Sequence, residues 1–120
     1  MPKELWYNCG MADKQLYRGS LTTIILKMLS EHDRMYGYEI TQHVKQLTEG
    51  ELAITEGALY PALHKLEAQG LLTAEFERVK GRQRKYYRLT PQGKKESALK
   101  LDELAQFIQH MQLILNPGKI

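Results

Sequence analysis

The stretch Thr55–Leu72, TEGALYPALHKLEAQGLL, decides how the rest of the chain is read. Leu59, Leu63 and Leu66 recur at spacings of four and three, which places them along one helical face. The opposite face carries Gly57, Tyr60, Pro61, His64 and Lys65, with Ala68 behind them. Thr55 stands where an N-cap belongs and Gly70 where a helix stops. Such an outer face is small at its leading end and carries a hydroxyl, an imidazole and an ammonium, so it can lie close against another molecule. An amphipathic surface helix with no further role has the same pattern, so the flanking sequence has to choose. Pro61 complicates the reading. With Thr55 as cap it lies past the first turn and removes a backbone hydrogen bond, so the helix either begins later or bends.

Immediately downstream, Leu72, Ala74 and Phe76 alternate with Thr73, Glu75 and Glu77. A turn region at Lys80-Gly81-Arg82 follows, then Arg84 to Leu89 with Tyr87 and Leu89 on one side. Two alternating runs around a glycine predict a β-hairpin. Its tip lies in RVKGRQRKYYR (78–88), which holds six basic residues and no acid. The chain as a whole has 17 Lys and Arg against 14 Asp and Glu, a net charge of +3. Outside this segment the balance is therefore negative, and the positive excess sits in one place. A basic patch this local is the electrostatic footprint of a polyanion partner.

Thr90-Pro91 then opens a last helix, as a cap followed by proline at the first helical position. Leu101, Leu104, Ile108, Met111 and Leu115 form a heptad seam flanked by Phe107 and Ile114, and Asn116-Pro117-Gly118 ends it. A second copy of the chain is the simplest cover for that seam, with packing back on the first helix contributing.

Upstream, Leu21, Ile24, Ile25, Met28 and Leu29 predict a helix capped by Asp13 or by Ser20. Gly37 to Leu47 predicts another, with Ile40, Val44 and Leu47 on one face and Tyr36 and Tyr38 around Gly37 at its start. Core-edge packing suits at least one of these tyrosines. Tyr38, or the amides of that helix N-terminus, also suits a phosphate. Glu51 to Ile54, ELAI, is short enough for a minimal strand. Residues 1–12 read as a flexible N-terminal arm, although Trp6 and Tyr7 are more apolar than a pure tail requires; packing on a partner chain and disorder both fit.

The totals exclude several classes. A chain of 120 residues suits one domain with one modest core. No apolar run is long enough to span a membrane, and MPKELWYNCGMADK has no signal-peptide core, so a cytoplasmic location is expected. With Cys9 as the single cysteine, an intramolecular disulfide is impossible. His32, His43, His64 and His110 are scattered, without metal-ligand spacing, and no nucleophile–base constellation, Walker loop or GxGxxG is present. No catalysis, metal or cofactor is expected.

The order helix, helix, helix, hairpin, helix is that of a winged helix-turn-helix. The fold class is α+β, mostly helical, with the DNA-binding domain over residues 13–90 and a C-terminal dimerisation helix over 91–116. The third helix would enter a major groove, where base edges are distinguishable, and the hairpin would lay cations beside phosphates. A winged-helix protein interaction module without DNA binding has the same fold, but its wing would normally be neutral or acidic.

Four segments in this order and spacing, YRGSL (17–21), YGYEI (36–40), EGALYPALHKLEAQGLL (56–72) and GRQRKYYRLTPQG (81–93), resemble the PadR-like transcriptional regulators, in the subfamily with a single C-terminal helix. The resemblance covers roughly residues 16–95. It implies a homodimeric bacterial repressor on a palindromic operator in double-stranded DNA. It implies DNA contact by Tyr38, Thr55, Gly57, Ala58, Tyr60, Pro61, His64 and Lys65, and by Lys80, Arg82, Arg84 and Lys85 of the wing. Leu59, Leu63, Leu66 and Tyr87 fall to the core. Dimerisation falls to Leu101, Leu104, Phe107, Ile108, Met111 and Leu115. It also implies a small apolar or aromatic inducer between subunits. There the last helix offers Leu104, Phe107 and Ile108 and no tryptophan, since the only one is Trp6.

Overall fold

A computed structural model describes Tyr17 and residues 19–118. The elements run α1 (Leu21–Glu31), β1 (Met35–Tyr36), α2 (Gly37–Leu47), α3 (Glu56–Ala68), β2 (Leu72–Val79), β3 (Arg82–Leu89) and α4 (Pro91–Leu115). The arm with Trp6 and Tyr7, and Asp13 as a cap, lie outside the described residues. Helix α1 starts at Leu21 behind Ser20, whose side chain makes no capping bond.

The apolar periods identified in the sequence close on one core. Ile25, Leu26 and Ile40 are wholly buried, as are Leu59 and Leu63, and Leu66 and Tyr87 nearly so. The sheet is antiparallel in the order β1-β3-β2. Its central strand brings Tyr87 and Leu89 onto the helices. Lys80 and Gly81 both have positive φ, +51° and +80°, so the hairpin closes through a two-residue turn that matches the strand twist.

Four expectations change. Strand β1 was not visible in the sequence: Met35 pairs with Tyr87 and Tyr36 with Tyr86, directly before α2 begins. ELAI is not a strand. Leu52 and Ile54 are half-buried against the core, but the segment pairs with no strand among the described residues. Leu47, expected on the buried face of α2, is 62% exposed because Thr48 already leaves the helix. Phe76 is likewise exposed, beyond the reach of the core that covers Leu72.

Helix α4 is joined firmly at its base. The Thr90 amide donates to the Leu71 carbonyl at 3.0 Å, and the Thr90 hydroxyl donates to the Gly70 carbonyl at 2.7 Å. The same hydroxyl oxygen accepts from the Gly93 amide at 3.0 Å, the capping bond of α4. A side chain at Gly93 would collide with the Leu71 carbonyl oxygen, 2.0 Å from where its Cβ would stand. The first half of α4 packs on α1, burying Ser97. Beyond Leu101 it projects. The radius of gyration is 16.3 Å, against about 13 Å for a compact domain of about 100 residues, so the helix stands out from the body.

Candidate nucleic-acid interface

Helix α3 begins at Glu56. The Thr55 hydroxyl accepts from the Ala58 amide at 3.3 Å, so the later start considered for Pro61 is not taken. The helix runs unbroken through Pro61. The carbonyl that this proline leaves unpaired within the helix belongs to Gly57, an exposed residue, so the lost bond falls at the surface and not in the core.

With Leu59, Leu63 and Leu66 turned inward, Thr55, Gly57, Ala58, Tyr60, Pro61, His64 and Lys65 all lie on the exposed side. Tyr60 is the least free of them. Its ring lies on the first residue of α2: a Cβ at Gly37 would come within 2.6 Å of the Tyr60 hydroxyl oxygen. Burial, and then the Glu56 carboxylate, raise the Tyr60 hydroxyl above its ordinary pKa, so it stays a protonated donor at neutral pH. The His64 ring is 6.5 Å from that of Tyr60. Tyr38, the second residue of α2, is 58% exposed. The Glu39 carboxylate accepts from the Tyr36 amide at 3.0 Å and fixes the start of α2.

The wing divides its cations. Lys80 and Arg82 stand exposed at the tip, and neither they nor Arg78 form an ion pair among the described residues. Lys85 lies 3.1 Å from the Glu67 carboxylate of α3, on the face of the hairpin that carries Tyr87. Burial lowers the Lys85 pKa, but the Glu67 hydrogen bond and the Tyr87 hydroxyl outweigh it and leave it raised. On the other face, the Arg84 guanidinium lies 4.5 Å from the centre of the Tyr36 ring. Arg88 bridges Asp33 at 2.8 Å and Glu75 at 2.7 Å, while Arg34 pairs with Glu75 at 3.1 Å and with Glu77. Arg88 first and Arg34 second hold the Glu75 carboxyl below its usual range.

The basic run of the sequence is therefore partly neutralised by acids up to 55 residues away. What remains unpaired is concentrated at the tip. Arg34, Glu75 and Glu77, which tie β1 to β2 across the middle strand, were not singled out from the sequence. The hint was the strand alternation itself, which puts both acids on one face.

The seam residues are where the heptad places them. Leu101, Leu104 and Met111 are half-buried, and Phe107, Ile108 and Leu115 are 57%, 48% and 76% exposed. A cleft of about 540 Å³ opens where the start of α1, the end of α3 and the middle of α4 meet, with Lys65, Gln69, Lys100, Leu104 and Phe107 on its walls. No helix among the described residues is long and apolar enough to cross a membrane.

A helix-turn-helix whose third helix is exposed along a lean polar face, beside a hairpin with a cationic tip, defines a winged-helix protein of the DNA-binding class. The profile of the family described as "Transcriptional regulator PadR-like family" matches residues 25–99, and the chain belongs to that family. It is 35% identical over 96 residues to the transcriptional regulator Rv3488 of Mycobacterium tuberculosis, covering 78% of this chain and 86% of that one. It is 40% identical over 85 residues to an uncharacterised protein of Lysinibacillus sphaericus, covering 70% and 77%. Among solved structures, a PadR family transcriptional regulator from Eggerthella lenta superposes with a TM-score of 0.75 at 26% identity, covering 96% of this chain and 98% of that one. A transcriptional regulator from Clostridium thermocellum gives 0.74 at 33% identity, covering 82% and 92%. The chain is thus a DNA-binding transcriptional regulator and not an enzyme.

Proposed function

We propose that the protein acts as a cytoplasmic, homodimeric, sequence-specific repressor that binds a palindromic operator and is released by a small apolar or aromatic molecule. The observation that carries the reading is the pairing of two surfaces on one side of the fold. One is the exposed edge of α3; the other is a wing tip whose Lys80 and Arg82 form no ion pair among the described residues. Tyr60, His64 and Lys65 offer hydrogen bonds to base edges, and the methyls of Thr55 and Ala58 suit a thymine methyl. Gly57 and Pro61 keep the leading end of the helix thin. Tyr38 and the wing-tip residues Lys80 and Arg82 suit the phosphates. Lys80 and Arg82 are ready for contact, whereas Arg84 and Lys85 are engaged within the protein.

The partly exposed seam of Leu101, Leu104, Phe107, Ile108, Met111 and Leu115 supports the dimer. In a two-fold pair the two α3 helices would read half-sites about 34 Å apart, or a multiple of that spacing. The cleft that reaches Leu104 and Phe107 supports an inducer site, since it touches the end of α3 as well as α4.

The deciding experiment selects binders from a pool of random duplexes at two salt concentrations. A palindromic consensus at both concentrations supports the repressor reading and names the operator. Salt-sensitive retention with no consensus leaves a non-specific DNA binder. No retention at either concentration, with any co-purified ligand removed, moves the protein interaction module to first place.

A further inference from the structure

Four side chains form a continuous stack on the outer face of the sheet. The Arg84 guanidinium lies over the Tyr36 ring at 4.5 Å. Tyr36 meets Tyr86 edge to face, with ring centres 5.4 Å apart. The Arg34 guanidinium lies over Tyr86 at 4.0 Å. The register explains the order: Tyr36 and Tyr86 are directly opposite across β1 and β3, and each arginine sits two residues along from one of them. Arg34 continues the line onto β2 through Glu75 and Glu77.

The stack ends at the site where α2 begins. Tyr36 is the residue before Gly37, its amide is held by Glu39, and the Tyr60 ring of α3 rests on Gly37. The wing, the start of α2 and the outer edge of α3 are thereby linked through one half-buried tyrosine. We infer that Arg84 is a positioning residue, which holds the wing in register with the recognition helix through the Tyr36 ring, and not a phosphate ligand. A planar guanidinium suits this role, because it stacks flat on an aromatic face as an ammonium does not.

The inference rests on the DNA-binding reading, and its consequences separate cleanly from those of a phosphate contact. A positioning role predicts that Tyr36→Leu, which removes no charge, weakens DNA binding about two- to fivefold, and that Arg84→Ala does the same. It predicts that the two together are no worse than either alone, because they break the same link. It predicts that the dependence of affinity on salt keeps its slope in Arg84→Ala. Tyr36→Phe, which retains the ring, should bind as the parent does. A phosphate role predicts instead that Tyr36→Leu is silent and that Arg84→Ala lowers the salt slope by about one unit, with Arg84→Lys near normal. That second pattern would overturn the inference. Thermal melts guard against a general loss of fold. Amide exchange in the free protein supplies a readout without DNA: both variants should speed exchange at Tyr36 and at residues 84–86. If exchange there is unchanged, the stack is not a brace. If exchange rises but the parent retains no duplex, the brace stands and the DNA reading fails.

Discussion

Helices α3 and α4 carry the same three-four rhythm of apolar residues and meet opposite fates. In α3, Leu59, Leu63 and Leu66 are all but inaccessible to solvent. In α4, Phe107, Ile108, Ile114 and Leu115 stand largely in water. Periodicity therefore reports that a face is to be covered, and the fold decides whether the chain itself supplies the cover. The α3 face is closed by α1, α2 and the hairpin and underlies the stability of the monomer. The seam of α4 is only partly covered by the described residues beyond its first turns, and its exposed part is open to assembly.

The sharpest way to break the comparison is to empty one face and then the other. Leu63→Ala should remove about 2–5 kcal/mol of folding stability, measured by denaturant unfolding, because the site is wholly buried and the vacated volume cannot collapse completely. Leu104→Asp combined with Ile108→Asp should leave the monomer folded by circular dichroism. It should abolish the dimer in sedimentation and, with it, tight operator binding. A double variant that stays dimeric would refute the seam.

A smaller effect tests how free the outer face of α3 really is. Gly37→Ala forces a methyl against the Tyr60 ring and should cost about 1–3 kcal/mol. Tyr60→Ala in the same chain removes the obstacle, so the pair should be less than additive in thermal melts. Strict additivity would mean that Tyr60 does not rest on α2 in solution.

The smallest effect belongs to the wing and follows from Glu75. Its folded pKa lies below the ordinary 4.5, through Arg88 and then Arg34. The stabilisation it gives is complete above that ordinary value and is lost as pH falls through the folded one. Protection of the wing amides, taken relative to the intrinsic exchange rate at each pH, should therefore fall below about pH 4.5 in the parent, while Glu75→Gln should be less protected already at neutral pH and show less of this acid step.

Most of the architecture could be read from residue order. Each of α1 to α4 spans at least 11 residues, enough for its period to show, and the hairpin is announced by alternation on both sides of Lys80-Gly81. Strand β1 could not be read, because two residues have no period; Met35 and Tyr36 become a strand only because β3 lies beside them. ELAI fails for the converse reason. Its alternation of burial is real, but no neighbouring strand turns it into a ladder. The exposed residues of α3 were legible from the helical wheel. The division of the wing into paired and unpaired cations was not, because Asp33, Glu67 and Glu75 reach it through the fold and not through the sequence.

The joint at Thr90 gives α4 the mechanics of a lever. Its 25 residues extend about 37 Å from a pivot that is hydrogen-bonded to Gly70 and Leu71, just past the end of α3. A tilt of about 5° at that pivot displaces the far end by about 3 Å, given the length set by the helical rise. The converse would hold in the proposed dimer: a displacement of ångströms imposed on such an arm would reach α3 as a rotation of a few degrees.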